Sequence, residues 1–165
     1  MTNKERLNEA RREFDKACDE HIARHGRNVK VYISGPMTDK ETGLVSEVNL
    51  QAFREAEKLL RERGYRRIVN PIRVWACRWP WLYRMMERVL GCDTAYYSTL
   101  LYDLWLLRRC DMIYKLPGWR DSRGANIESC VAYHFKIWPV PQSDIKKLDK
   151  RLAKLMEKWN KNHAN

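Results

Sequence analysis

The stretch that most constrains this 165-residue chain is residues 100–128, LLYDLWLLRRCDMIYKLPGWRDSRGANIE. A helical pattern carrying Asp103 gives way to a short run at 111–116 without polar alternation. Pro117-Gly118 and a polar turn follow, then a second helical pattern that opens at Gly124 and carries Glu128. A short unalternating run between turn signals reads as a strand buried on both faces, and helices on either side place it in a parallel α/β sheet. Ligands of such sheets lie beyond the carboxyl ends of the strands. Ser122, Gly124 and Glu128 are therefore expected to face one crevice. A Ser or a carboxylate at a helix start also serves as a cap, so that placement alone does not define a site.

The remaining pattern supplies the rest of such a sheet. Residues 4–25 repeat Leu7, Ala10, Phe14 and Ala17 near the helical period, with Gly26 as a stop. VKVYIS at 29–34 reads as a central first strand ended by Gly35-Pro36, where the missing side chain of Gly35 would let backbone amides approach an anion. A polar loop at 38–48 leads into an amphipathic helix at 49–63 and a second strand at 67–70 closed by Asn70-Pro71. Residues 72–99 form an insert dense in aromatic and basic side chains, among them Trp75, Trp79, Tyr96, Arg78 and Arg88, suited either to capping the crevice or to packing on the sheet. HFKIWPV at 134–140 is expected to be an edge strand, since Pro139 lacks a ladder donor. A last amphipathic helix at 144–160 needs a partner for its apolar stripe, either the N-terminal helix or another subunit.

The expected fold is thus a single α/β domain over 1–165, a Rossmann-like or flavodoxin-like parallel sheet of about four to five strands flanked by helices. A helical extension at 1–26 and a C-terminal helix are added to a core at 29–140. The five cysteines are odd in number and widely spaced, with no zinc-ligand pattern. They read as buried free thiols, and no metal or cofactor is expected. The formal charge of +11 suits an anionic partner. Much of the excess lies on the last helix and reads as a solvated face, which makes nucleic acid the less favoured partner. No apolar run spans a bilayer, and the first residues carry charge where a signal peptide is apolar, so a cytoplasmic protein is expected.

These residues resemble the nucleoside 2-deoxyribosyltransferase superfamily, which includes nucleotide N-glycosidases, and most closely its phage-encoded deoxyribosyltransferase-like branch. The resemblance runs from Val29 to about Val140. V-Y-I-S-G-P looks like that family's first strand and loop, which implies that Tyr32, Ser34 and Gly35 lie near the sugar or base. Y-D-L-x-x-L-x-x-C-D resembles the helix whose Asp, here Asp103, lies in the site. L-P-G-W-x-D-S-x-G-A-x-x-E is the most specific piece. It aligns Glu128 with the nucleophile and Ser122 with a phosphate-binding position. Asn70-Pro71 after the second strand is a weaker match. Asn126 and Cys130 stand where better-known members have glycine. Members are often dimers that share a site, and a homodimer or larger homo-oligomer is the expectation.

The resemblance implies catalysis on a nucleoside or nucleotide. Breaking an N-glycosidic bond passes through an oxocarbenium-like state, which calls for a carboxylate near C1′ and a proton for the departing base. Glu128 is the expected nucleophile, and Asp103 the group that handles the proton or orients the sugar. Ser122, Arg123 and the amides of Gly124 and Ala125 are expected to hold a 5′-phosphate at the helix N-terminus. Two other classes remain open, a nucleotide-binding module without turnover and a basic nucleic-acid-associated protein.

Overall fold

The computed structural model describes residues 2–39, 45–73 and 80–162. Four short strands, β1 (Lys30–Ser34), β2 (Arg67–Val69), β3 (Met112–Lys115) and β4 (Trp138–Pro141), pair in parallel in the order β2-β1-β3-β4. Tyr32 lies opposite Val69 on one side and Ile113 on the other, and Ser34 lies opposite Lys115. β1 is central, as its unbroken apolar run requires. β4 pairs only with β3 and tolerates Pro139 and Pro141 for that reason.

Among the described residues, six α-helices accompany the sheet: α1 (Asn3–His25), α2 (Glu47–Glu62), α3 (Pro80–Leu90), α4 (Cys92–Leu107), α5 (Arg123–His134) and α6 (Ile145–Asn162). Alternation along the strands sorts them into two layers. Val31, Ile33, Met112 and Tyr114 pack with Phe53 and Leu60 of α2, Ile22 of α1 and Leu148 of α6. Tyr32 and Ile113 point the other way, onto Leu107 of α4 and Ala132 of α5. The chain leaves β1 for β2 through α2 on one face, then returns across β1 to β3 through α4 on the opposite face. The strand order therefore reverses between β1 and β3, and a doubly wound sheet opens its crevice at that point.

Several boundaries differ from the sequence reading. α5 runs on to His134, Phe135 caps it, Lys136 takes a positive φ of 56°, and the Ile137 N–H returns to the Ala132 carbonyl. The strand expected from 134 thus starts only at Trp138. The aromatic insert is largely helical where it is described, as α3 and α4 joined at Gly91, whose φ is 87°. Trp75, Cys77, Arg78 and Trp79 lie outside the described residues. The stripe of α6 is already covered. Ile145, Leu148 and Leu152 join the core beside Cys18 and Ile22, and Arg151 pairs with Asp19 of α1. The terminal helices thus supply no argument for a second subunit. Of the cysteines, Cys18 and Cys110 are buried but Cys92 and Cys130 are exposed, against the expectation of uniformly buried thiols.

Candidate functional site

Three elements meet on the α4/α5 face of the sheet at the carboxyl end of β1. Strand periodicity turns Tyr32 and Ser34 to this face. Helical spacing puts Ala125, Glu128 and Ala132 on the inner side of α5, and the two alanines let the helix approach closely. Asp103 shares the buried side of α4 with Ala95, Leu100 and Leu107. The two carboxyl groups that the sequence singled out therefore lie on one face of the sheet.

Glu128 is held at both oxygens. The Tyr32 hydroxyl donates to Oε1 at 2.7 Å and Ser34 Oγ donates to Oε2 at 2.5 Å. Asp103 Oδ1 is buried with no hydrogen-bond partner. Both side chains are nearly sealed, with 6% exposure for Glu128 and 7% for Asp103. They lie beneath the surface, so Glu128 does not stand open in the crevice it was expected to face. Burial sets their acidity. It pushes Asp103 up to about 8, with the nearby Glu128 charge adding to the effect. Burial also pushes Glu128 up to about 7, against the pull of Ser34 and Tyr32, whose hydrogen bonds favour the carboxylate. Glu128 is accordingly the member that ionises first, because it has donors and Asp103 lacks them. The Tyr32 hydroxyl is driven well above its usual range by burial and by both carboxylates.

The start of α5 is built by its own loop. Ser122 is the N-cap and accepts from the Ala125 N–H at 3.4 Å. Asn126 donates to the carbonyls of Arg120, at 2.7 Å, and Ser122, at 2.9 Å, which ties the loop to the helix. Arg123 donates to the Tyr97 hydroxyl. Tyr96 belongs to the same corner. A Cβ on Gly124 would stand 3.5 Å from its hydroxyl. Burial pushes the pKa of Tyr96 up, Arg123 pulls it down, and Tyr97 and Glu128 add to the rise. The sequence placed Tyr96 only within a general aromatic insert.

One expected site residue goes elsewhere. Asn70 lies on the α2 side of the sheet. It donates to Glu57 Oε2 at 2.9 Å and to the Phe53 carbonyl at 3.3 Å, and it accepts from the Ile72 N–H. It is a corner brace and not a neighbour of Glu128. Gly35 is required by packing, since a Cβ there would lie 2.8 Å from Leu116 Cβ. Lys115 lies on β3 opposite Ser34, with its Nζ 3.8 Å from the Trp119 ring centroid. Two surface clefts, of about 340 and 570 Å³, lie between the end of α1 and α6 and along α2, away from the carboxyl pair.

Fold and site together define a doubly wound α/β domain with a buried carboxyl pair at its topological switch point. The chain belongs to the family described as a domain of unknown function, DUF4406, which it matches over residues 29–138. That span begins at β1 and reaches β4, leaving α1 and α6 outside. No curated protein and no solved structure matches the chain.

Proposed function

We propose that this protein cleaves or exchanges the N-glycosidic bond of a deoxynucleoside 5′-monophosphate, through a glutamate nucleophile and a glycosyl-enzyme intermediate. The observation that carries the reading is the asymmetric carboxyl pair. Glu128 is steadied by two donors, and Asp103 is unbonded at Oδ1 and held protonated near neutral pH.

The roles follow from that asymmetry. Ionised Glu128 attacks C1′ while the C1′–N bond breaks, and Asp103 delivers its proton to the departing base. Asp103, now a carboxylate, takes a proton from water or from a second base as that acceptor displaces Glu128 from C1′. Tyr32 and Ser34 aim the nucleophile. The first turn of α5, with Ser122, Arg123, Gly124 and Ala125, offers partial positive charge to the 5′-phosphate. Cytoplasmic residence and a homo-oligomeric state belong to the same reading. Support for the latter is the exposed apolar set Leu101, Tyr102 and Trp105 on α4. No helix among the described residues is long and apolar enough to cross a membrane.

Incubation with a panel of deoxynucleoside monophosphates tests the proposal by release of free base. Release by wild type, lost in Glu128→Ala, is the expected result. No release from any substrate, or equal release by the variant, sinks it. The burial of both carboxyls favours one competing reading, a nucleotide-binding module without turnover. Thermal stabilisation by nucleotides without base release would identify it.

A further inference from the structure

The cleft of about 570 Å³ along α2 lies on the side of the sheet away from Glu128, and a buried carboxylate lines it. That carboxylate is Glu57, 5% exposed. Asn70 Nδ2 donates to its Oε2 at 2.9 Å, and Arg61 gives its Oε1 two donors, Nε at 3.1 Å and Nη2 at 2.8 Å. These contacts already engage both oxygens and supply a full counter-charge. Arg73 Nη2 nevertheless lies 2.9 Å from the same Oε1. One carboxylate thus gathers two guanidinium groups, and the second brings a charge that Glu57 does not need.

The other cations of the cleft are answered on their own helix, Arg54 by Glu47 and Lys58 by Glu62. Among its described residues the cleft therefore carries one positive charge in excess, and the excess sits on the arginine pair. Both arginines face outward, with side chains 53% and 69% exposed above a carboxylate at 6%. An arginine carries five N–H donors in a rigid fork, so both groups keep donors for a further acceptor while their shared oxygen fixes them side by side. Like charges held that close repel, and an anion placed between them removes the repulsion. Leu50 and Ile72 give the same cleft an apolar wall, and its volume falls in the usual range of small-molecule sites.

We propose that this cleft binds a small phosphate monoester, with the phosphate between Arg61 and Arg73 and the organic part against Leu50 and Ile72. A phosphate offers several terminal oxygens and up to two charges, which suits two forks better than one carboxylate does. The apolar wall favours a small ester over a nucleic-acid backbone, which would meet it with charge. This inference goes beyond the glycosidase reading and does not depend on it, because Glu57 and Glu128 lie on opposite faces of the sheet.

Calorimetric titration with phenyl phosphate, with inorganic phosphate as comparator, tests the site. Wild type should bind phenyl phosphate about tenfold more tightly than inorganic phosphate. Arg61→Ala and Arg73→Ala each leave Asn70 and the other arginine on Glu57, so both should fold, yet bind either ligand at least about tenfold more weakly. Leu50→Gln touches none of these ion pairs. It should weaken phenyl phosphate and leave inorganic phosphate unchanged. Arg123→Ala should bind both as wild type does, which separates this cleft from the start of α5. The proposal is overturned if wild type takes up no phenyl phosphate at about 10 mM. It is equally overturned if both arginine variants bind like wild type, if Leu50→Gln binds phenyl phosphate like wild type, or if Arg123→Ala abolishes binding. A short oligonucleotide that binds Arg61 and Arg73 more tightly than phenyl phosphate, with a steep loss in added salt, would also overturn it in favour of a polyanion.

Discussion

Asp103→Asn is the perturbation that reads the site's electrostatics without needing a substrate. Asp103 is raised from its usual 3.8 to about 8 by burial and by Glu128. Between those values the native protein keeps a proton that the unfolded chain has released. Stability therefore falls as pH rises through this window, by about 1.4 kcal/mol per pH unit for one retained proton. The penalty is absent below the unfolded value and complete above the folded one. Asparagine keeps the shape of the side chain and cannot ionise. The advantage of the variant over wild type should then grow by about 3 kcal/mol from about pH 5 to about pH 7. Urea unfolding of both proteins across that range measures the difference, and contributions from other titrating groups cancel in it. In thermal melts the same gain is roughly 6–12 °C for a chain of this size. A difference that does not change with pH would mean that Asp103 ionises freely, and the buried-pair description would be wrong.

Three further outcomes follow from single contacts. Tyr32→Phe removes a donor that favours ionised Glu128, so the acid limb of base release should move above the value near 7, at a cost of about 1.5–3 kcal/mol in urea unfolding. An unmoved limb would exclude Glu128 as the group that must ionise. Gly35→Ala forces a Cβ to 2.8 Å from Leu116 Cβ and should destabilise by roughly 1–3 kcal/mol, and wild-type stability would refute the packing role. Burial alone would raise the pKa of Glu57, but hydrogen bonds from Asn70 and Arg61 and the charges of Arg73 and Arg61 bring it below the usual carboxyl value. Its contribution is present above the ordinary carboxyl range and lost as pH falls through its folded value, so the cost of Glu57→Ala, about 1–3 kcal/mol at neutral pH, should shrink in acid.

Most of the architecture is legible because strand and helix periods differ. VKVYIS reads as a buried strand, and Asn49 to Arg63 as an amphipathic helix, whose observed span is Glu47–Glu62. The Glu128 helix and its Ser122 cap were legible from turn chemistry. The strand starting at 134 was misread because Phe135, Ile137 and Trp138 supply apolar character whichever way the backbone turns. Only the tertiary fold decides that Lys136 adopts a left-handed conformation and ends the helix. At the site, the resemblance pointed to Glu128, Asp103, Tyr32 and Ser34, and the structure gathers these four on one face of the sheet. Asn70 was misassigned because a polar residue after a strand can face either layer, and Ile68 and Val69 alternate so as to turn it toward Glu57.

The most direct test of the central claim is mass spectrometry of the protein quenched during turnover of a deoxynucleoside monophosphate. The peptide carrying Glu128 should gain the mass of one deoxyribose 5-phosphate unit, and Asp103→Asn should slow the release of base that forms it. Base release with no adduct on Glu128, or an adduct on another residue that survives Glu128→Ala, would contradict the account.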